Sequence, residues 1–234
     1  MPTPLVLAHR GYTDGFVENT VAAFQAARRL GADGVELDVR RTADWALAVH
    51  HDPDLPDGRP LAAVPARDLP DDVPLLADAM AACQGMTVNV EVKHDPAVDP
   101  DRALATLVAS ALVDGGLTDR VLLSSFDAAT LDVLRNAGLP VGWLLRSVDD
   151  VAAALPEAVD RGYAAVHPFV TGVNRAVVEQ AHAAGLAVNV WTVNAPGDQA
   201  EMVALGVDVI ITDRLVEAVA LVRDSPPNGE TTGR

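Results

Sequence analysis

The sequence predicts a single (β/α)₈ TIM barrel, and three observations lead there. Strand-like and helix-like segments alternate through eight units, the pattern of a parallel sheet with helices outside it. Glycine follows many of the helical segments, at Gly31, Gly115, Gly138, Gly185 and Gly206, where a chain leaves a helix and turns back. Polar residues gather at the ends of the strand segments, the face on which barrels carry their chemistry. A doubly wound open sheet is the rival architecture and would normally need fewer strands.

In chain order, Leu5-Val-Leu-Ala-His9 reads as the first strand, and residues 19–30 as a helix stopped by Gly31. Residues 34–40 form the second strand, and residues 46–51 read as its extended continuation. A helix over 75–82 precedes a third strand over 87–93, and a helix over 99–113 ends at Gly115-Gly116. The fourth unit pairs a strand over 121–126 with a helix over 128–136, and the fifth pairs 140–145 with 149–160. Strands over 164–169, 187–193 and 208–213, each with a following helix, complete eight units. The barrel domain is therefore expected over residues 1–224. Residues 225–234 are small, polar and Pro/Gly-containing, and are expected to be a disordered tail. The longest irregular stretch, residues 52–74, is rich in Pro and Asp and follows the second strand. Long βα loops lie at the catalytic face, so a lid or specificity loop is expected there.

Half of the 234 residues are hydrophobic, enough for a large core, whereas aromatic residues make up only 4%, so packing must rest on aliphatic side chains. A lone cysteine, Cys83, excludes an internal disulfide and reads as a buried helix position. The N-terminus has no basic region before an apolar stretch, and no apolar run is long enough to cross a bilayer, so a cytoplasmic protein is expected. A net charge of −16 argues against nucleic acid and against stable association with an anionic membrane. It leaves room for a small anionic substrate held by local positive charge.

Gly34-Val-Glu-Leu-Asp-Val-Arg40 places Val35, Leu37 and Val39 on one face of a strand and Glu36 and Asp38 together on the other. Two carboxylates side by side on a buried strand are costly without a cation between them. Glu91 and Lys93 repeat the device in Thr87-Val-Asn-Val-Glu-Val-Lys93. Glu36, Asp38 and Glu91 together make an oxygen-rich site suited to one hard divalent cation, Mg²⁺ or Ca²⁺. The alternative is a salt-bridge cluster neutralised by Lys93 and Arg10, but three carboxylates exceed what one lysine balances.

His9-Arg10-Gly11, Glu18-Asn19-Thr20, Glu36-Leu37-Asp38, His51-Asp52, Glu91-Val92-Lys93, Ser124-Ser125-Phe126 and Trp191-Thr192-Val193-Asn194 follow one another in this order. Along most of its length, about residues 6–214, the chain resembles the glycerophosphodiester phosphodiesterase family. The resemblance implies metal-dependent cleavage of a small-molecule glycerophosphodiester to glycerol 3-phosphate and an alcohol. It implies His9 and His51 as general acid and base, a task suited to imidazole near neutral pH. Glu36, Asp38 and Glu91 would be the metal ligands, Arg10 and Lys93 would bind the phosphate, and Trp191 would pack against the substrate. The attacking group is either water or the neighbouring hydroxyl of the glycerol, which would pass through a cyclic phosphate.

Other residues carry weaker expectations. His50, His94 and His182 read as bystanders, and His167, ending the sixth strand, as a possible pocket wall. Asn19 reads equally as part of its motif and as the N-cap of the first helix. Asp213 matches the family's terminal Thr-Asp, with Arg214-Leu215 in place of the usual proline, and its role stays open. Asp44-Trp45 replaces the frequent Asp-Gly turn, and Pro53-Asp-Leu-Pro-Asp-Gly-Arg-Pro60 replaces a Thr-, Arg- and Gly-rich stretch. Two rivals follow: a lysophospholipase D-like or cyclising enzyme acting on a lipid-linked diester, and a non-catalytic barrel that binds a phosphate ligand. The first needs an apolar approach that the acidic loop disfavours. The second would be expected to have lost a histidine or carboxylate, and none is missing.

Overall fold

Alternation of apolar with polar residues over 34–40 and 87–92 gives those strands an apolar outer face for helices and a polar inner face. The computed structural model describes residues 3–224, apart from the side chains of 148–150. The tail expected over residues 225–234 lies outside the described residues. Eight parallel strands form the barrel: β1 (Leu5–His9), β2 (Gly34–Arg41), β4 (Thr87–Val92), β5 (Val121–Ser125), β6 (Val141–Leu145), β7 (Ala165–Pro168), β8 (Ala187–Val190) and β9 (Val209–Thr212). Pairing of β1 with both β2 and β9 closes the sheet. Helices α1 (Val21–Arg29), α2 (Leu76–Ala82), α3 (Ala103–Asp114), α4 (Ala128–Asn136), α5 (Val148–Asp160), α6 (Arg175–Ala183), α7 (Pro196–Leu205) and α8 (Leu215–Asp224) surround it. Among the described residues no helix is long and apolar enough to cross a membrane.

One expected element is different. Residues 46–51 do not continue β2: the chain reverses, and β3 (Leu47–Val49) pairs antiparallel with β2 through Val39↔Val49 and Arg41↔Leu47. The turn is held by Thr42, whose Oγ1 donates to Asp44 Oδ1 at 2.6 Å and accepts from the Ala46 N–H at 2.9 Å. Trp45 occupies the left-handed position of the turn at φ 62°, where glycine is usual, and the Arg41 guanidinium sits 4.4 Å over its ring.

The main apolar core lies between strands and helices. Val35, Leu37 and Val39 of β2 and Val88, Val90 and Val92 of β4 face outward into it, beside Phe24, Met80, Val108 and Leu131. Cys83 is buried there as expected, and burial pushes its thiol up to about 12, so it stays protonated. The long loop is folded as well, since Leu55, Leu61 and Val64 pack with Ala48 of β3 into a small second cluster. The barrel lumen is partly polar, with Asn89, Ser124, His167 and Asn189 all buried. His167 is therefore not a pocket wall. Its Nε2 accepts from Asn189 Nδ2 at 2.9 Å, and burial drops its pKa to about 3, so the ring is neutral. Glycine at 142 makes room for it, because a Cβ there would lie 2.2 Å from His167 Nε2.

Asp127 caps α4, accepting from the Thr130 N–H at 2.9 Å, and pairs with Arg102 Nε at 2.6 Å. Burial opposes its ionisation, but the hydrogen bonds from Arg102 and Thr130 outweigh burial and hold the carboxyl at about 2. Replacement Asp127→Ala is expected to destabilise the fold by about 1–2 kcal/mol, the usual worth of a strong N-cap. A depressed carboxyl pKa contributes fully above the unfolded value near 4 and is lost as pH falls toward 2. Urea titrations at pH 7 and pH 2 should thus show the gap between wild type and variant closing at the lower pH.

Candidate active site

The strand registers decide which side chains meet at the C-terminal mouth of the barrel. His9↔Glu36 places β1 beside β2, and Asp38↔Glu91 places β2 beside β4. Cross-strand partners in a parallel sheet point to the same face, so Glu36, Asp38 and Glu91 converge inside the barrel. One oxygen from each lies within 4.8 Å of the others, and all three residues are buried. Among the described residues no other trio of potential ligands comes as close.

Cations surround this trio. Lys93 forms a short ion pair with Glu91 and places Nζ 2.8 Å from Asp38 Oδ1. Arg10 Nε lies 3.4 Å from Asp38 Oδ2, and Arg10 Nη1 donates to Glu18 Oε1 at 2.9 Å. Even so, negative charge is in surplus. Burial first, and the Asp38 charge second, push the Glu36 carboxyl up to about 8. Burial also opposes ionisation of Asp38, but Lys93 and Arg10 reverse that and hold its pKa low. A buried, all-oxygen donor set that strains to stay ionised suits a hard divalent cation.

The two histidines each have a carboxylate partner. His9 Nδ1 lies 2.8 Å from Asp213 Oδ1, and its Nε2 is 4.0 Å from Glu36 Oε2. His51 Nδ1 lies 2.7 Å from Asp52 Oδ1. A carboxylate on Nδ1 fixes the tautomer and leaves Nε2 for chemistry. The rings are tuned in opposite directions. Burial depresses the pKa of His9, but the hydrogen bond to Asp213 and the Glu36 charge outweigh it and the net shift is upward. For His51, burial dominates over Asp38, and the shift is downward.

Local backbone geometry builds these contacts. Arg10 and Asn19 both adopt left-handed conformations, at φ 58° and φ 57°. Such residues cost on the order of 1 kcal/mol each and persist only where surroundings hold them. The Arg10 N–H donates to Glu36 Oε2 at 3.1 Å, and the Asn19 N–H donates to the Arg10 carbonyl at 2.8 Å. Asn19 is consequently not the N-cap of α1. Thr20 is the cap, while Asn19 Nδ2 donates to Asp38 Oδ2 at 2.8 Å.

Trp191 stands half-buried on the rim, edge-on to Phe126 and Phe169 at ring separations of 5.5 and 5.2 Å, and its Nε1 donates to the His167 carbonyl at 2.7 Å. Of the histidines read as bystanders, His182 Nε2 meets Asp208 Oδ2 at 2.8 Å on the outer surface, and His50 Nε2 meets the Asp54 carbonyl at 3.1 Å. The sequence reading left Asp213 without a role, although pairing of β9 with β1 in a closed barrel carries it to His9. Asn194 holds Asp213 in turn, through Nδ2 at 2.7 Å.

Known proteins resemble this chain along most of its length. The family model of the glycerophosphoryl diester phosphodiesterase family matches residues 9–63 and 56–217. A glycerophosphodiester phosphodiesterase of Caldanaerobacter subterraneus subsp. tengcongensis is 30% identical, the alignment covering 94% of this chain and 98% of that protein. The crystal structure of a glycerophosphodiester phosphodiesterase from Thermotoga maritima superposes with a TM-score of 0.82 at 25% identity, covering 94% of this chain and 99% of that one. An Oleispira antarctica phosphodiesterase, solved in complex with the product sn-glycerol-3-phosphate, shares the fold with a TM-score of 0.86 at 22% identity, over 95% and 98% of the two chains.

Proposed function

The chain belongs to the glycerophosphoryl diester phosphodiesterase family, and we propose that it is a metal-dependent member hydrolysing glycerophosphodiesters to glycerol 3-phosphate and an alcohol. The observation that carries this reading is a buried carboxylate trio flanked by two histidines of opposite tuning. Glu36, Asp38 and Glu91 would hold one Mg²⁺ or Ca²⁺, which when bound supplies positive charge to the phosphoryl oxygens. Arg10 and Lys93 add fixed positive charge beside it and orient the diester. His51, biased toward the neutral form, acts as general base: it takes a proton from the attacking water, or, on the cyclic route, first from the glycerol hydroxyl and then from the water that opens the cyclic phosphate. His9, biased toward the protonated form, gives a proton to the leaving alkoxide. Asp213 and Asp52 hold the two rings in register, and Trp191 with its aromatic neighbours supplies an apolar wall on the rim.

A panel of glycerophosphodiesters assayed with and without chelator tests this directly. Release of glycerol 3-phosphate is expected, abolished by chelation and restored by added Mg²⁺ or Ca²⁺. Full turnover in chelated protein would overturn the metal requirement, and no turnover of any diester would overturn the reaction itself.

A further inference from the structure

Resting on that reading, we propose that Arg40 is a specificity-determining residue of the same site. It selects diesters whose head group presents oxygen acceptors, as a polyol or carboxylate does, over those ending in a quaternary ammonium.

The period of two along β2 puts Arg40 in the same inward column as Glu36 and Asp38, about 7 Å nearer the mouth than Asp38. Arg41, the next residue, faces outward, where its Nη1 donates to the carbonyls of Thr42 and Ala62 and its Nη2 to that of Val98. Arg40 is half-buried and spends one donor on the protein, Nε to the His51 carbonyl at 2.7 Å. Among the described residues its Nη1 and Nη2 have no hydrogen-bond partner, which leaves four of its five N–H donors free.

Arg40 borders a cleft of about 160 Å³ that it shares with Arg41, Lys93, Asp54, Asp95 and Asp99, and the Nη groups of Arg41 are taken by the carbonyls just named. Most of the other charges there are committed. Lys93 is paired with Asp38 and Glu91, and Asp99 accepts from the N–H groups of Ala103 and Leu104 with its two oxygens. Asp95 Oδ1 accepts from the Ala97 N–H. What the cleft offers a ligand is therefore the Arg40 fork, facing the remaining oxygens of Asp54 and Asp95. The complementary group carries oxygen acceptors for Arg40 and hydroxyl or ammonium N–H donors for the carboxylates. A quaternary ammonium carries neither: the carboxylates attract its charge but gain no hydrogen bond from it, the Arg40 donors stay unpaired, and its charge lies beside the guanidinium. Lys93 belongs to both the cleft and the carboxylate cluster, so the cleft lies within reach of an ester group on a phosphate bound at the cluster.

The test compares kcat/KM for glycerophosphoglycerol, glycerophosphoserine and glycerophosphocholine in wild type, Arg40→Met and Arg40→Lys. Wild type should favour the first two over the choline diester by about tenfold, the scale of a hydrogen bond to a charged group. Arg40→Met should bring the ratio near one, and Arg40→Lys should keep part of it. Loss of the brace on the His51 carbonyl lowers every substrate alike and leaves the ratio unmoved. An equal fall for all three diesters would thus reduce Arg40 to that brace and overturn the inference, with the phosphodiesterase reading intact. A wild-type preference for the choline diester would overturn it without any variant, and absence of turnover on all three would overturn both readings.

Discussion

Replacing Glu36 with Gln is expected to lower kcat/KM by about a thousandfold or more while making the metal-free protein more stable. The first effect follows from the loss of one of three carboxylates in the proposed cation site. Charge neutralisation at a transferring phosphoryl group is worth several kcal/mol, and each 1.36 kcal/mol is a factor of ten. The second effect follows from the Glu36 carboxyl, pushed up to about 8 in the folded protein. A carboxyl raised above its unfolded value weakens the fold progressively as pH climbs from about 4.5 to about 8, and the penalty is constant above that. At pH 7 the neutral isostere should relieve about 3 kcal/mol of it. Gln keeps an oxygen for the Arg10 N–H, so the left-handed turn at Arg10 need not change. Urea titrations in chelator, paired with calorimetric metal titrations, read both effects. Undiminished metal affinity, together with a less stable metal-free variant, would mean that the trio is an ion-pair network.

The second large effect concerns the histidines. His9→Ala and His51→Ala should each cost about 10²–10⁴ in kcat, the usual contribution of a positioned general acid or base. Their pH profiles should differ in a signed way. A base fails when it is protonated, so with His51 as the proposed base the acidic limb of the wild-type profile should be its own and lie below the ordinary imidazole value. An acid fails when it is deprotonated, so with His9 as the proposed acid the alkaline limb should be its own and lie above that value. Each variant should lose its own limb and keep the other. Asp213→Asn, which removes the carboxylate that raises His9, should keep both limbs and move the alkaline one to lower pH. Loss of the acidic limb in the His9 variant instead would reverse the two roles.

Much of this was legible in the chain because barrel units repeat and carry their own punctuation. Valines and leucines at alternate positions, with glycine after helices, are local signals that survive folding. The period of two that isolated Glu36 and Asp38 also survived, and the trio with Glu91 forms as that pattern suggests. The reversal into β3 was hidden because its signal is chemical. Asp-Gly announces a hairpin, whereas Trp45 takes the left-handed position without a glycine and is compensated by the Arg41 contact. Asn19 misled for a related reason: it is a good N-cap by composition, but its backbone is left-handed and its amide is turned to Asp38. The partnership of His9 with Asp213 joins opposite ends of the chain, and only closure of the sheet makes them neighbours.

That last contact gives the molecule a built-in interlock. His9 comes from the first strand and Asp213 from the turn after the last, 204 positions apart, so a nascent or partly unravelled barrel holds its imidazole without the carboxylate that tunes it. Under the proposed mechanism, completion of the ring gives His9 the carboxylate that raises its pKa. Recovery of turnover during refolding should trail the return of helical signal, and so time the moment at which the seam is sealed.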